Sequence, residues 1–307
     1  MKKFILVVLA LFSIVLSSCS SSKSEIVVTS FPGYDAARAV VGDDVSIKML
    51  LKPGNDIHSY EPSGADVRAI NESKLFIYVG GESDEWVESD ILPNIGKDTK
   101  VVSMVDVLES KLLLEDGEED EYDEHVWTDP SNYKMVVEEV YKTLKEIYPD
   151  KAEKFENNKT SYTAKLDLIC SEIETAVNGA KNKFVVVADR NPLKYFFNRF
   201  NLSYASALNG CSQDKSVPQQ KIVELKNKAE EYELKFIFIV ELSDSNIANT
   251  VKKEIDNDIK SGLYKKTSPE IRLFYSMQNI TNDDFKANKT YVMMMNENLN
   301  TLKELFS

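Results

Sequence analysis

The chain has 307 residues, of which 50 are acidic, 37 basic and only two histidine, for a formal charge of −13 at neutral pH. That acidity argues against nucleic acid, whose binding rests on lysine and arginine neutralising phosphates, and it suits a cationic ligand. The length admits one large domain or two lobes. Three cysteines make no disulfide framework, and Cys170 and Cys211 read as separate thiols.

Met1-Lys2-Lys3 is a basic start, and an apolar run over 4–16 follows, broken only by Ser13. The run is shorter than the roughly 20 apolar residues of a membrane-spanning helix, so 1–18 reads as a secretory signal. Leu16-Ser17-Ser18-Cys19 resembles the bacterial lipobox. That resemblance implies cleavage before Cys19 and acyl chains on this residue, with 19–24 as a polar tether to the outer face of the cell membrane.

The pattern then predicts strands over 26–29 and 45–51 with a helix over 34–41 between them. A turn at 53–56 precedes a helix over 63–73, where Ser63 and Asp66 resemble a capping box. A buried strand over 75–79 ends at Gly80-Gly81, and another strand covers 100–104. Residues 115–124 are almost wholly acidic, which fits a self-repelling loop or a weak collector of cations beside His125. From 132 to 180 the periodicity is helical, broken at Pro149 into one helix ending near 147 and a second over 151–177. Strands over 184–187, 204–208, 236–240 and 271–275 then alternate with helices over 192–200, 218–233 and 243–255, and a helix over 290–306 closes the chain. Ser216 lies near the expected N-cap of the 218–233 helix, with Pro218 in its first turn. Strand–helix alternation with nearly continuous apolar strands is the mark of parallel sheets covered on both faces. The expected fold is therefore α/β, with one lobe over 25–148, a long linking helix over 149–181 and a second lobe over 182–307. Ligands in such folds bind beyond the C-terminal ends of the strands, which here means the cleft between lobes.

The two histidines occur in nearly the same phrase. One is Asp56-Ile57-His58-Ser59-Tyr60-Glu61-Pro62-Ser63, the other Glu124-His125-Val126-Trp127-Thr128-Asp129-Pro130-Ser131. Each has an acid before the imidazole, an aromatic two residues after it, then an acid-Pro-Ser step into a helical pattern. Neutral imidazole is the commonest metal ligand, and its second ring nitrogen usually donates to a carboxylate or carbonyl. His58 and His125 are thus candidate ligands, with Tyr60 and Trp127 as walls of the site. Glu61 and Asp129 are candidates to support the ligands, although both also suit a helix start by capping and dipole.

These phrases resemble the first and second ligand motifs of the substrate-binding lipoproteins of bacterial ABC importers for zinc and manganese, the ZnuA/TroA-like family. Lys194-Tyr195-Phe196, Phe238-Ile239-Val240-Glu241, and Thr290-Tyr291 with Met294-Met295 and Asn298-Leu299 extend the likeness along the chain. The resemblance implies two α/β lobes joined by a rigid helix, a metal held between them, no enzymatic activity, and delivery of the ion to a permease with a cytoplasmic ATPase. It implies Zn²⁺ first and Mn²⁺ second as the ion, carried by a monomer.

The second lobe departs from the family pattern. Arg190 stands where the third ligand falls, and a guanidinium cannot ligate a cation. The loop after the last strand reads Ser276-Met277-Gln278-Asn279, without a charged group. The donors left there are Asp189, Cys211, Glu241, Gln278 and Asn279, while Asp56, Glu124 or the acidic loop offer a carboxylate from the first lobe. Cys211 as thiolate would favour zinc; as a small residue in a turn it would have no such role. Two other readings stay open: a divergent member acting as an adhesin or scaffold, or binding a metal chelate or an anion through Arg190; and a metallohydrolase using a metal-bound water.

Overall fold

The structure, a computed structural model, describes residues 24–115, 121–210 and 217–307. The signal segment, Cys19, the centre of the acidic run at 116–120, Cys211 and Ser216 lie outside the described residues. In the first lobe β1 (Ile26–Val28), α1 (Phe31–Val41), β2 (Ile47–Met49), α2 (Gly64–Glu72), β3 (Leu75–Tyr78), β4 (Lys100–Ser103) and the short α3 (Met104–Val107) follow one another. Their strands form an all-parallel sheet of order β2-β1-β3-β4. Two long helices come next, α4 (Pro130–Ile147) and α5 (Ala152–Asn178). The second lobe contains β5 (Phe184–Val187), α6 (Lys194–Arg199), β6 (Ser203–Ser206), α7 (Gln219–Glu231), β7 (Phe236–Ile239), α8 (Asn246–Ser261), β8 (Glu270–Leu273), α9 (Asn282–Lys286) and α10 (Tyr291–Phe306). Its sheet is again parallel, of order β6-β5-β7-β8. The fold is the two-lobe α/β architecture expected from the alternation of elements.

Local chemistry explains the boundaries. Ser63 and Asp66 make the capping box, each backbone N–H answered by the other's side chain. α1 starts at Phe31 rather than at 34, because Pro32 sits in its first turn, where a missing N–H costs nothing. α8 starts at Asn246 rather than at Ser243. Leu242 and Ser245 hold φ of 64° and 60°, which is incompatible with a right-handed helix. It then runs on to Ser261, where Gly262 ends it in the left-handed conformation. The turns at Met104–Val107 and Asn282–Lys286 are too short to leave a periodic trace in sequence.

Alternate side chains of each central strand enter different cores. Ile26, Val28 and Ile77 face one large apolar mass, while Val27, Phe76 and Tyr78 face a smaller cluster with Leu50, Ile70 and Ile91. In the second lobe Val185, Val187, Phe236 and Phe238 join the same large mass, and Val186 and Ile237 face a separate cluster beneath α7 and α8. The large mass runs through both lobes. α5 lies in it against α1, α4 and α10, burying Phe155, Leu166, Ile169, Ile173 and Val177. Tyr133 of α4 stacks on Tyr291 of α10 with ring centroids 3.9 Å apart. The two lobes thus share a core, and their strand ends face one cleft. Leu166 is fully buried at the middle of α5. Leu166→Ala should lower the unfolding free energy by about 3 kcal/mol, through lost transfer energy and a residual cavity, as read from the urea midpoint at constant slope.

Candidate metal centre

His58 sits on a single 3₁₀ turn, Ile57–Ser59, just past the C-terminal end of β2. Asp56 caps that turn, its Oδ1 accepting the His58 backbone N–H at 3.1 Å. His125 precedes the 3₁₀ turn Val126–Thr128 that leads into α4. Asp123 does for it what Asp56 does for His58, and more. Its Oδ1 accepts the His125 backbone N–H at 2.8 Å and lies 2.8 Å from the ring Nδ1. A proton on Nδ1, donated to this carboxylate, makes Nε2 the lone-pair nitrogen, the tautomer that a metal ligand needs. Sequence reasoning passed over Asp123 because it belongs to the acidic run. The signal was present: Asp56 and Asp123 each stand two residues before a histidine.

Glu124 completes a cluster. One ligand atom from each of His58, Glu124 and His125 lies within 4.8 Å of the others, the one such gathering of three metal-type side chains among the described residues. Tetrahedral zinc with bonds of about 2.1 Å spaces its donors roughly 3.4 Å apart, so a modest inward movement would seat an ion. Glu124 reaches this place because residue 81 is glycine: a Cβ there would fall 2.2 Å from Glu124 Oε2. The same oxygen accepts the Ser83 backbone N–H at 2.9 Å. Asp84 in turn fixes that loop, accepting from the backbone of Val79 and Gly80 and from the Thr29 hydroxyl.

The second lobe meets the cluster with the loop after β8. Gln278 brings its amide nitrogen to 2.8 Å from His58 Nε2. A half-turn of that amide exchanges nitrogen for oxygen and would present an oxygen donor at nearly the same point. Asn279 is buried beside it with neither amide atom hydrogen-bonded. The other second-lobe candidates are occupied in shaping loops. Glu241 accepts from Ser276 N and Oγ and from Asn279 N, so its carboxylate builds the loop that carries Gln278. Asp189 accepts from Arg190 N and Val240 N, tying the ends of β5 and β7. Arg190 reaches across the cleft and pairs with Asp56 through Nη1, while its Nη2 lies 3.5 Å from Glu241 O.

Trp127 is fully buried, with its ring 5.3 Å from His125, and donates its indole N–H to Ser276 O across the cleft at 3.0 Å. Tyr60 packs on Trp86 instead, 6.0 Å between ring centres. Asp129 caps α4 through Ser131 N, and Glu61 is exposed, ahead of the capped start of α2.

Burial sets the electrostatics. Desolvation, helped by the neighbouring His125 and Arg190 and opposed by Asp56, lowers the His58 pKa from 6.5 to about 4. Its imidazole is therefore neutral and ready to bind a metal throughout the physiological range. Desolvation raises the Glu124 carboxyl from 4.5 to about 7, although His125 and the Ser83 N–H pull the other way. Burial alone would raise Asp56 too, but Arg190 and the His58 N–H hold it below its ordinary value.

Two parallel α/β lobes that share a core and meet over two histidines and a buried carboxylate define a binding protein of the cleft type. Residues 26–305 match the family model described as the periplasmic component A of the zinc-uptake complex, and the chain belongs to this family. It is a family of uptake components, not of enzymes. Among curated relatives, the zinc-binding lipoprotein AdcA of Streptococcus pneumoniae is 28% identical over 99% of this chain. This chain spans only 61% of the length of that relative. The high-affinity zinc uptake protein ZnuA of Bacillus subtilis is 24% identical over 92% of this chain and 87% of its own length. Among solved structures, the Zn(II)-bound ZnuA-like domain of S. pneumoniae AdcA superposes with a TM-score of 0.73 at 26% identity, covering 93% of this chain and 99% of that one.

The two pKa shifts act on stability in opposite directions. The unfolded chain protonates His58 near pH 6.5 and the folded one near 4, so this residue's contribution is complete above 6.5 and lost as pH falls towards 4. For Glu124 the folded state holds its proton up to about pH 7 and the unfolded state only to 4.5, so stability falls as pH rises from 4.5 to 7. Glu124→Gln should therefore raise the melting temperature of the chelator-treated protein above pH 7 and leave it unchanged below pH 4.5, as scanned by calorimetry.

Proposed function

We propose that this protein captures Zn²⁺ outside the cell membrane and delivers it to an ABC permease for import, with Mn²⁺ as a weaker cargo. The observation that carries the reading is the convergence of His58, Glu124 and His125 in the cleft, ligand atoms within 4.8 Å of one another. Two imidazoles and a carboxylate are a recurrent zinc set, and Gln278 from the other lobe is our choice for the fourth donor. Two imidazoles favour zinc over manganese, which prefers a shell of oxygens. A carboxylate poised near neutrality ties capture to proton release, because the metal displaces the Glu124 proton. Names of relatives agree in kind, as zinc-binding and zinc-uptake proteins. Cys19 in its lipobox-like setting supports a lipid anchor on the outer face of the membrane. Among the described residues no helix is long and apolar enough to cross one.

Competition calorimetry against a chelator tests the assignment. His58→Ala and His125→Ala should each lower zinc affinity at least 100-fold, and Glu124→Gln about 10-fold, with manganese bound much more weakly by the parent protein. A parent protein that takes up no zinc at micromolar concentration would overturn the capture reading and favour a repurposed adhesin or scaffold.

A further inference from the structure

The segment that follows β5 adds no side chain to the His58–Glu124–His125 cluster, yet it touches both histidine loops. Arg190 pairs with Asp56, whose other carboxylate oxygen caps the backbone N–H of His58. Five residues on, in the first turn of α6, the Tyr195 hydroxyl donates to Asp123 O at 2.8 Å and accepts the Leu113 N–H at 2.9 Å. Asp123 is the residue that holds His125 by its ring and its backbone. Each histidine is therefore backed by an aspartate two positions earlier, and each aspartate is gripped from the opposite lobe by one residue of a single short segment. Tyr195 is only 3% exposed, and the Arg190 and Asp56 side chains are 13% and 27% exposed, so solvent and salt screen the Tyr195 grip little and the Arg190 grip in part.

We propose that Arg190 and Tyr195 are positioning residues for the metal site: they set His58 and His125 through Asp56 and Asp123, so that the second lobe acts on the ligands of the first without ligating the ion. The inference rests on the capture reading above. A guanidinium beside a cation site would by itself repel the ion, so its gain must come from geometry. The Asp56 carboxylate, held by Arg190, fixes the His58 turn, and the Asp123 backbone, held at its carbonyl by Tyr195, sets the carboxylate that fixes the His125 tautomer before the metal arrives; supports of this kind commonly change metal affinity 10- to 100-fold. Asp56 spends one oxygen on each partner, so it cannot relax towards Arg190 without moving the His58 turn. Anchoring of the guanidinium near Glu241 O links this grip to the loop that carries Gln278.

The test is a double-mutant cycle read by zinc competition and by the visible spectrum of Co²⁺ bound in place of zinc. Arg190→Gln and Asp56→Asn should each lower affinity about 10-fold, and the double variant no more than either alone, since both remove one linkage. Arg190→Lys, which keeps the charge, should recover part of the loss. Tyr195→Phe should cost about fivefold, and loss of either interlobe grip should shift the Co²⁺ bands that report ligand geometry. Zinc affinity unchanged or raised in Arg190→Gln, or losses that multiply in the double variant, would overturn the positioning role while leaving capture intact. A parent protein that binds neither Zn²⁺ nor Co²⁺ removes the capture reading and this inference with it.

Discussion

Both parallel sheets set one face against the same apolar mass, and α5 runs through it. That shared core decides everything downstream. A sheet of four parallel strands cannot bury both faces without helices, and here the inner faces of both sheets contribute side chains to one apolar mass together with α5. Close packing makes such an interior resist deformation. The C-terminal strand ends of the two lobes are thereby held within hydrogen-bonding distance, as Trp127 to Ser276 O, Gln278 to His58, and Gly54 N to Ile280 O all attest. A cleft built on two independent cores would leave those distances to a hinge.

Burial in that cleft prepares the site for a cation. A neutral imidazole is the cheapest polar group to desolvate next to a metal, and His58 keeps its lone pair at any pH above about 4. Glu124 has the opposite problem: burial makes its charge costly, so it holds a proton up to about pH 7. An arriving divalent ion supplies the compensating charge that the protein withholds. Asp56 and Asp123 are arranged differently from Glu124. Each is engaged by hydrogen bonds from a histidine loop, and Asp56 also by a guanidinium.

The second lobe departs from a symmetric share of ligands. Glu241 and Asp189 are spent on backbone N–H groups, because loops at the ends of parallel strands expose donors that a buried carboxylate satisfies well. Arg190 turns to Asp56 instead of to the ion. What that side brings to the cluster is the amide of Gln278, 2.8 Å from His58 Nε2, together with contacts to the loops that carry the two candidate histidines.

Much of this was legible in the chain itself. Continuous apolar strands alternating with amphipathic helices determine a covered parallel sheet, since no other arrangement buries both faces of such strands. The repeated wording around His58 and His125 marks a pair of candidate ligands, and the structure brings the two imidazoles together with Glu124. Proximity across the lobes was not legible. Glu124 and Asp123 lie in a run of acids whose composition speaks only of charge, and the one local sign is their position just ahead of His125, where Asp123 stands two residues before the ring as Asp56 does before His58. Glu241 and Asp189 have the composition of ligands, yet backbone donors brought close by the sheet claim them first. That Arg190 meets Asp56, and Tyr195 meets Asp123, depends on contacts between residues 134 and 72 positions apart. Such contacts follow from the packing of two lobes on one core, and only the tertiary structure decides them.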